Sequence, residues 1–112
     1  MSNEKRVTGE RINIELLVDY NSDGNFFFDF CKDLGVGGLF IASKSPQDVG
    51  ERIELIFTVP DSKETIMVEG VVMWVQKPGP KESNPGMGVQ FTSLEAENRK
   101  SLQDFVKRYS DL

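Results

Sequence analysis

The sequence predicts a mainly β protein, a six-stranded antiparallel β-barrel that ends in one C-terminal α-helix. Through most of the chain, apolar and polar residues alternate with a period of two between turn residues, as expected for half-buried strands. After Phe91 the apolar residues follow the spacing of an amphipathic helix instead. Short strands with frequent turns favour a small closed barrel, because closure removes the exposed strand edges.

The first two strands are predicted over residues 12–20 and 25–33, with a hairpin turn between them. The turn contains Asp23-Gly24, a strong hairpin signal. The stretch 19–24 also matches the first half of an EF-hand calcium loop. The position that requires a bidentate Glu holds Phe30, and the flanking segments are strands, so we expect a hairpin and no metal site.

Four further strands follow a glycine-rich turn at residues 33–38. They are predicted over residues 39–42, 52–59 and 65–76 and around Val89 and Phe91. Between the last two, the proline-rich segment 77–85 is expected to form a loop. The inward positions of the two long central strands should be mostly buried, and they are Ile53, Leu55, Phe57, Val68, Val72 and Trp74.

The helix is predicted over residues 93–109, because its apolar residues recur at i, i+3, i+4 and i+7. A capping box is predicted at residues 92–95, where Thr92 begins the segment Thr-Ser-Leu-Glu. Leu102, Phe105 and Val106 should pack on the barrel and cover one of its mouths. We therefore expect a single domain over residues 1–112, with a flexible N-terminal segment at 1–11 and the barrel at 12–92.

Composition narrows the classes of function. The chain has 112 residues and a formal net charge of −5, which disfavours binding to nucleic-acid polymers through their phosphates. No 18-residue apolar run and no apolar signal segment occur, so we expect a cytoplasmic protein without membrane insertion. The single cysteine, Cys31, cannot form an internal disulfide.

The residue types also disfavour catalysis. The chain has no histidine, so it lacks the commonest general base and metal ligand. Cys31 has no histidine partner and lies in a phenylalanine-rich strand, which predicts a buried structural thiol. No pair of carboxylates stands out as an acid–base couple. We expect a non-enzyme with no catalytic residues, no metal and no cofactor.

Two glycine-rich stretches and the strand between them suggest a family. The stretches are Asp-Leu-Gly-Val-Gly-Gly-Leu-Phe at 33–40 and Gly-Met-Gly-Val-Gln-Phe at 86–91, and Val-Val-Met-Trp-Val at 71–75 lies between them. This order resembles the PilZ domain, and the resemblance runs from Lys5 to Arg108. It implies the barrel fold and, as a ligand, cyclic di-GMP. The family is typified by an RxxxR segment before the first strand and a later Asp-or-Asn-x-Ser-x-x-Gly motif.

Three residues match these motifs. Arg11 matches the second arginine, while Asp33 and Gly38 match the ends of the second motif. In the family, arginine binds phosphate bidentately and stacks on guanine, and polar residues of the turn contact guanine edges, as the chemistry of these groups allows. The resemblance therefore implies a site that includes Arg11, Asp33 and Gly38.

Two positions depart from the motifs. Val7 occupies the place of the first arginine, with Arg6 one residue out of register, and Gly35 stands where the family has Ser. Losing one charged and one neutral hydrogen bond costs about 2–4.5 kcal/mol, or roughly 30- to 2000-fold in affinity. If Arg6 compensates for Val7, only the smaller neutral loss remains. The candidate site thus comprises Arg6, Arg11, Asp33, Gly35 and Gly38, with weak binding expected.

Two functions remain open. One is a signalling domain that binds cyclic di-GMP and acts in motility or pilus regulation. The alternative is a nucleotide-independent adaptor that binds a protein partner, as some PilZ-like domains with incomplete motifs do. Phe26, Phe27 and Phe28 are consecutive, so a strand must place aromatic rings on both of its faces. We expect the terminal helix to cover the outer rings; otherwise a partner would cover them.

Overall fold

The computed structural model describes residues 11–79 and 84–110, which contain eight strands and one helix. Their bounds are β1 Arg11–Ile12, β2 Leu16–Ser22, β3 Asn25–Lys32, β4 Leu34–Gly35, β5 Gly38–Ala42, β6 Arg52–Thr58, β7 Thr65–Gln76, β8 Gly86–Ser93 and α1 Ala96–Ser110. Six of the strands close a barrel in the order β2-β3-β5-β8-β7-β6, with every neighbouring pair antiparallel. The predicted fold class is confirmed.

A small additional sheet was not predicted. β1 and β4 pair with each other, apart from the barrel. The first predicted strand is therefore two strands, separated by residues 13–15, and the glycine-rich turn itself contains β4. This extra sheet brings Arg11 opposite Gly35 and Ile12 opposite Leu34.

The hairpin between β2 and β3 is confirmed. Asp23 and Gly24 form its two-residue loop with φ values of 52° and 82°, and Ser22 pairs with Asn25. Two positive φ angles are the signature of a type I′ turn, whose twist matches that of the flanking strands. Within the described residues, no group of three or more His, Cys, Asp or Glu side chains could hold a metal ion.

The core fills the barrel and continues under the helix. Ile53, Leu55, Phe57, Val68 and Val72 are buried as predicted. Among the helix residues, those expected to pack on the barrel are also buried, with exposures of 2% or less for Leu102, Phe105 and Val106. α1 packs against β1 and β4 and so backs the small additional sheet. No helix in the described part of the chain is long and apolar enough to cross a membrane.

The predicted start of the helix is wrong by three residues. α1 begins at Ala96, and both Thr92 and Ser93 belong to β8. The Thr92 hydroxyl donates to the carbonyl oxygen of Glu69 at 3.1 Å, so it links two barrel strands and does not cap the helix. The pairing of β8 with β7 extends to Ser93 and takes up the residues that the capping box would need.

The expectation that α1 covers the outer phenylalanines is also wrong. The exposed fractions of Phe26, Phe28 and Phe30 are 81%, 65% and 52%. Because α1 packs behind β1 and β4, it leaves the outer face of β3 open. We call Phe26, Phe28 and Phe30 the phenylalanine stripe. Phe27 points the other way, and its ring stacks on Tyr20 with centroids 5.1 Å apart.

Candidate functional site

The small sheet places an arginine beside the glycine-rich turn. Arg11 lies on β1 and pairs with Gly35 on β4. Its Nη2 donates to the carbonyl oxygen of Asp33 at 2.7 Å. Asp33 itself has a φ of 49°, a left-handed conformation that aspartate tolerates better than most residues. At Asp33 the chain leaves the direction of β3 and enters β4. This turn places the Asp33 carbonyl oxygen within hydrogen-bonding distance of Arg11.

Arg11 and Asp33 line an open cleft on the barrel wall. The cleft has a volume of about 420 Å³, within the range of small-molecule sites. Its walls come from β1, the turn before β5, and the strands β5, β7 and β8. The lining residues are Arg11, Asp33, Gly37, Gly38, Leu39, Phe40, Met73, Trp74, Gly88, Val89, Gln90 and Phe91.

Trp74 lies in this cleft because of a β-bulge. Val72 pairs with Val89 and Trp74 pairs with Gly88, so Met73 is an extra residue without its own partner on β8. An inserted residue reverses the inward–outward alternation that follows it. The prediction that Trp74 is buried is therefore wrong, and its side chain is 49% exposed. Its ring stacks on Phe40 with centroids 5.3 Å apart.

Two glycines make room for this arrangement. A Cβ atom on Gly88 would overlap the indole nitrogen of Trp74. A Cβ atom on Gly38 would overlap the carbonyl oxygen of Val89 on the neighbouring strand. Neither glycine has a positive φ, so it is close approach that requires them, and not an unusual backbone conformation. The indole can therefore lie against the backbone of β8, and β5 can approach β8 closely.

The positive charge of the cleft comes from Arg11. Among the described lining residues it is the only basic side chain, and Asp33 is the only acidic one. Among residues 11–79 and 84–110, no carboxylate forms an ion pair with Arg11. Its hydrogen bond to Asp33 goes to a backbone carbonyl, so the guanidinium keeps its full charge and further N–H donors for an anion.

Of the residues that the sequence predicts for the site, Arg11, Asp33 and Gly38 line this cleft together. Gly35 lies next to it, paired with Arg11, and does not have a positive φ. The prediction for Arg6 falls outside the described residues. The sequence interpretation missed Met73, Trp74 and Gln90. A signal for Trp74 is present in the glycine spacing of Gly86-Met87-Gly88, because a glycine in a strand often marks where a large ring lies against the backbone.

Cys31 occupies a different environment. Its side chain is fully buried in the barrel core, as predicted. Burial raises the pKa of its thiol to about 11, because the thiolate would be poorly solvated there. A neutral thiol is a weak nucleophile, which fits a structural role.

The chain belongs to the PilZ domain family. The family model matches residues 4–108, which is nearly the whole sequence. The resemblance inferred from the glycine-rich stretches is thereby confirmed. No protein of curated function matched the sequence.

Solved structures show the same fold at low sequence identity. The inhibitor of motility MotI/DgrA from Bacillus subtilis is 19% identical with a TM-score of 0.82, and the match covers 98% of this chain and 53% of that one. The PilZ domain of YcgR from Escherichia coli, solved with c-di-GMP, is 11% identical with a TM-score of 0.74 and coverages of 96% and 93%. PlzA from Borreliella burgdorferi, solved in complex with c-di-GMP, is 20% identical with a TM-score of 0.58 and coverages of 92% and 41%. This chain thus spans about half the length of MotI/DgrA.

Proposed function

We propose that this chain is a non-enzymatic bacterial signalling domain that binds cyclic di-GMP weakly in the cleft beside Arg11 and acts in the cytoplasm in motility or pilus regulation. One observation carries the proposal. The residues that match the PilZ ligand motifs, Arg11, Asp33 and Gly38, converge on one cleft although they are up to 27 positions apart in the chain. The likeness to MotI/DgrA, an inhibitor of motility in B. subtilis, supports the process.

The chemistry of the cleft suits a guanine nucleotide with phosphates. Arg11 supplies planar N–H donors for a phosphodiester, and its charge has no carboxylate partner among the described residues. Trp74 offers an exposed aromatic face on which a purine can stack, a contact worth about 1–3 kcal/mol where it has been measured in nucleic-acid complexes. Gln90 adds an amide with both donor and acceptor groups for a base edge.

We expect weak affinity for cyclic di-GMP because Gly35 has no side chain that could contact the ligand. Its place in the family motif belongs to Ser, and a glycine has no hydroxyl to donate to the ligand. The neutral hydrogen bond that is missing is worth about 0.5–1.5 kcal/mol, or roughly 2- to 13-fold in affinity. Arg11 therefore carries most of the electrostatic attraction that the described part of the cleft provides.

Calorimetric titration with cyclic di-GMP at low and moderate salt tests the proposal. Binding should weaken as salt rises, because it depends on attraction between Arg11 and phosphate. Trp74 is the only tryptophan in the chain, so its fluorescence reports independently whether the ligand enters this cleft.

The matched variants are Arg11→Ala and Arg52→Ala. Both arginines are exposed, but Arg52 pairs with Glu69 at 3.3 Å and does not line the cleft. Arg11→Ala should abolish measurable binding, and Arg52→Ala should leave it within about twofold of the wild type. Submicromolar binding that survives Arg11→Ala would refute the site.

The second candidate, a nucleotide-independent adaptor that binds a protein partner, has one observation in its favour. The phenylalanine stripe is an exposed aromatic surface on the barrel, and monomeric proteins rarely keep such a surface without a use. Absence of cyclic di-GMP binding in both the wild type and Gly35→Ser, with a folded protein in each case, would favour this candidate over the first.

A further inference from the structure

One edge of β3 is open along most of its length. β3 pairs with β2 from Asn25 to Cys31, but with β5 only through Cys31 and Lys32. Among residues 11–79 and 84–110, no strand pairs with the opposite edge between Phe26 and Phe30. An open strand edge is a template for pairing with another strand.

The hairpin geometry shows which backbone groups face this edge. In a two-residue hairpin, the residues that close the turn form a hydrogen-bonded pair, here Ser22 and Asn25. Hydrogen-bonded and non-hydrogen-bonded pairs then alternate along the ladder. The N–H and C=O groups of Phe26, Phe28 and Phe30 therefore point away from β2, toward the open edge. The stripe residues thus present both exposed rings and unpaired backbone groups.

The exposed area is large for one strand. The exposed fractions of the three stripe residues together equal nearly two whole phenylalanine side chains, or about 400 Å². On β2, the exposed Leu17 lies opposite Phe30 and extends this apolar surface. A groove of about 640 Å³ runs between β3 and residues 42–45, beside Phe28. β3 carries no proline and no outward-facing charge at residues 26–30 to block pairing.

We propose that two copies of this chain associate by antiparallel pairing of their β3 edges about a twofold axis, with Phe28 opposite Phe28 of the second copy. Residues whose backbone groups face the edge must pair with one another. The register centred on Phe28 places Phe26 opposite Phe30, so it forms three aromatic cross-strand pairs on the outer face. Such pairs are among the most stabilising contacts on a sheet.

The neighbouring registers are worse. A register centred on Phe27 keeps only two aromatic pairs on the outer face, because Phe30 then lies opposite Gly24. A register centred on Asp29 places Asp29 opposite Asp29 of the second copy, and like charges directly opposite each other destabilise a sheet. The order Phe-Phe-Phe-Asp-Phe at residues 26–30 therefore selects one alignment.

The size and charge of the interface predict a transient dimer. The stripes of two copies contribute about 800 Å² in total, below the 1,200–2,000 Å² that stable interfaces bury. Each copy carries a formal charge of −5, so the copies repel each other and added salt should strengthen the dimer. Binding of a basic partner protein to the same stripe would respond to salt in the opposite direction.

Sedimentation equilibrium tests the association, over concentrations from about 10 µM to about 1 mM that span weak affinities. The wild type should pass from monomer toward dimer, and more readily at higher salt. Phe28→Arg places two like charges at the twofold axis and should weaken association at least tenfold. Met67→Arg is the matched control, because Met67 is 66% exposed and Phe28 is 65% exposed, and Met67 lies on β7, away from the open edge. A wild type that stays monomeric throughout would overturn the proposal and leave the stripe to the adaptor function.

Cysteine cross-linking tests the register. In the proposed dimer the two Phe28 Cα atoms lie about 5.5 Å apart, within disulfide range, and the two Phe26 Cα atoms lie about 13 Å apart. Phe28→Cys should therefore form a covalent dimer under mild oxidation, and Phe26→Cys should not, although Phe26 is the more exposed residue. The wild type gives the background, since Cys31 is buried. Equal or faster cross-linking of Phe26→Cys would overturn the register.

Discussion

The cleft and the phenylalanine stripe both expose aromatic rings, but the two regions hold those rings in different ways. Trp74 is 49% exposed, and its ring rests on Phe40 and on the bare backbone of Gly88. Phe26 is 81% exposed, and no other ring stacks on it among the described residues. A ring fixed in a concave wall can receive a small planar ligand. A row of rings along an open strand edge suits another strand.

The two regions also differ in how they connect to the core. The cleft includes Arg11 on β1, and β1 is held by β4 and by α1. The stripe belongs to β3, which is held by β2 along one side and by a short contact with β5 on the other. Damage to the helix interface should therefore reach the cleft and leave the stripe unchanged.

Phe105→Ala is the strongest test of this difference. Phe105 is 2% exposed, so its truncation should lower the free energy of unfolding by about 3–5 kcal/mol. Because α1 backs the sheet that carries Arg11, any affinity for cyclic di-GMP should fall as well. Chemical denaturation and calorimetry measure the two effects. Phe28→Ala, at 65% exposure, is the control and should change stability by less than about 0.5 kcal/mol. Comparable losses in the two variants would contradict the assignment of Phe105 to the core.

Two glycines, one in the cleft and one at the tip of the β2–β3 hairpin, are needed for different reasons. Gly38→Ala would push a Cβ into the Val89 carbonyl oxygen and should cost about 1–3 kcal/mol or more, because a backbone atom cannot move aside easily. Gly24, at the hairpin tip, has open space around it but a φ of 82°. Gly24→Ala should cost about 1–2 kcal/mol from backbone strain alone.

Binding of cyclic di-GMP also distinguishes Gly38→Ala from Gly24→Ala. Gly38→Ala should also change the titration of cyclic di-GMP, since Gly38 lines the cleft, and Gly24→Ala should not. A Gly38→Ala protein with wild-type stability and wild-type ligand response would show that the close approach of β5 to β8 is not required.

The buried thiol predicts a pH effect in the core beneath β3. Burial raises the pKa of Cys31 from 9.0 to about 11, so the folded state favours the neutral thiol. In the unfolded chain the thiol ionises at lower pH, and the stability that depends on the neutral form is lost as pH rises from about 9 through 11. The stability difference between wild type and Cys31→Ala should therefore shrink over this window, by on the order of 2 kcal/mol. Denaturation of both proteins at pH 8 and at pH 11 measures it, and a constant difference would argue against burial of the thiol.

The barrel strands can be predicted from the sequence because the alternation of apolar and polar residues reflects only which side chains face the core. Asp23-Gly24 specifies its hairpin, and the inward positions of β6 are correctly assigned through Ile53, Leu55 and Phe57. On β7 the prediction that Trp74 is buried is wrong. One unpaired residue in the ladder reverses the alternation, and the residue types in the strand give no sign of it. The open edge of β3 could not be predicted either, since it depends on where β5 stops pairing.

The candidate site could be predicted only in part, for a similar reason. Arg11, Asp33 and Gly38 are recognisable from motif spacing, and the structure places all three in one cleft. Trp74 and Gln90 come from β7 and β8, and their proximity to Arg11 arises from strand order in the closed barrel. Motif spacing along the chain cannot supply a contact that the barrel topology creates.

The smallest expected effect comes from Gly35→Ser, which tests a position next to the cleft. Gly35 has no positive φ, so a side chain there meets no backbone strain, but the residue is buried and the added atoms must be accommodated by their neighbours. Gly35 also pairs with Arg11, which brings position 35 close to the proposed phosphate site. The added hydroxyl can supply the hydrogen bond that the family motif provides, worth about 0.5–1.5 kcal/mol or roughly 2- to 13-fold in affinity for cyclic di-GMP. Gly35→Ala is the matched control, because it adds the Cβ without the hydroxyl. Tighter binding by the serine variant alone would assign the gain to the hydroxyl, and equal binding by the two variants would remove position 35 from the site.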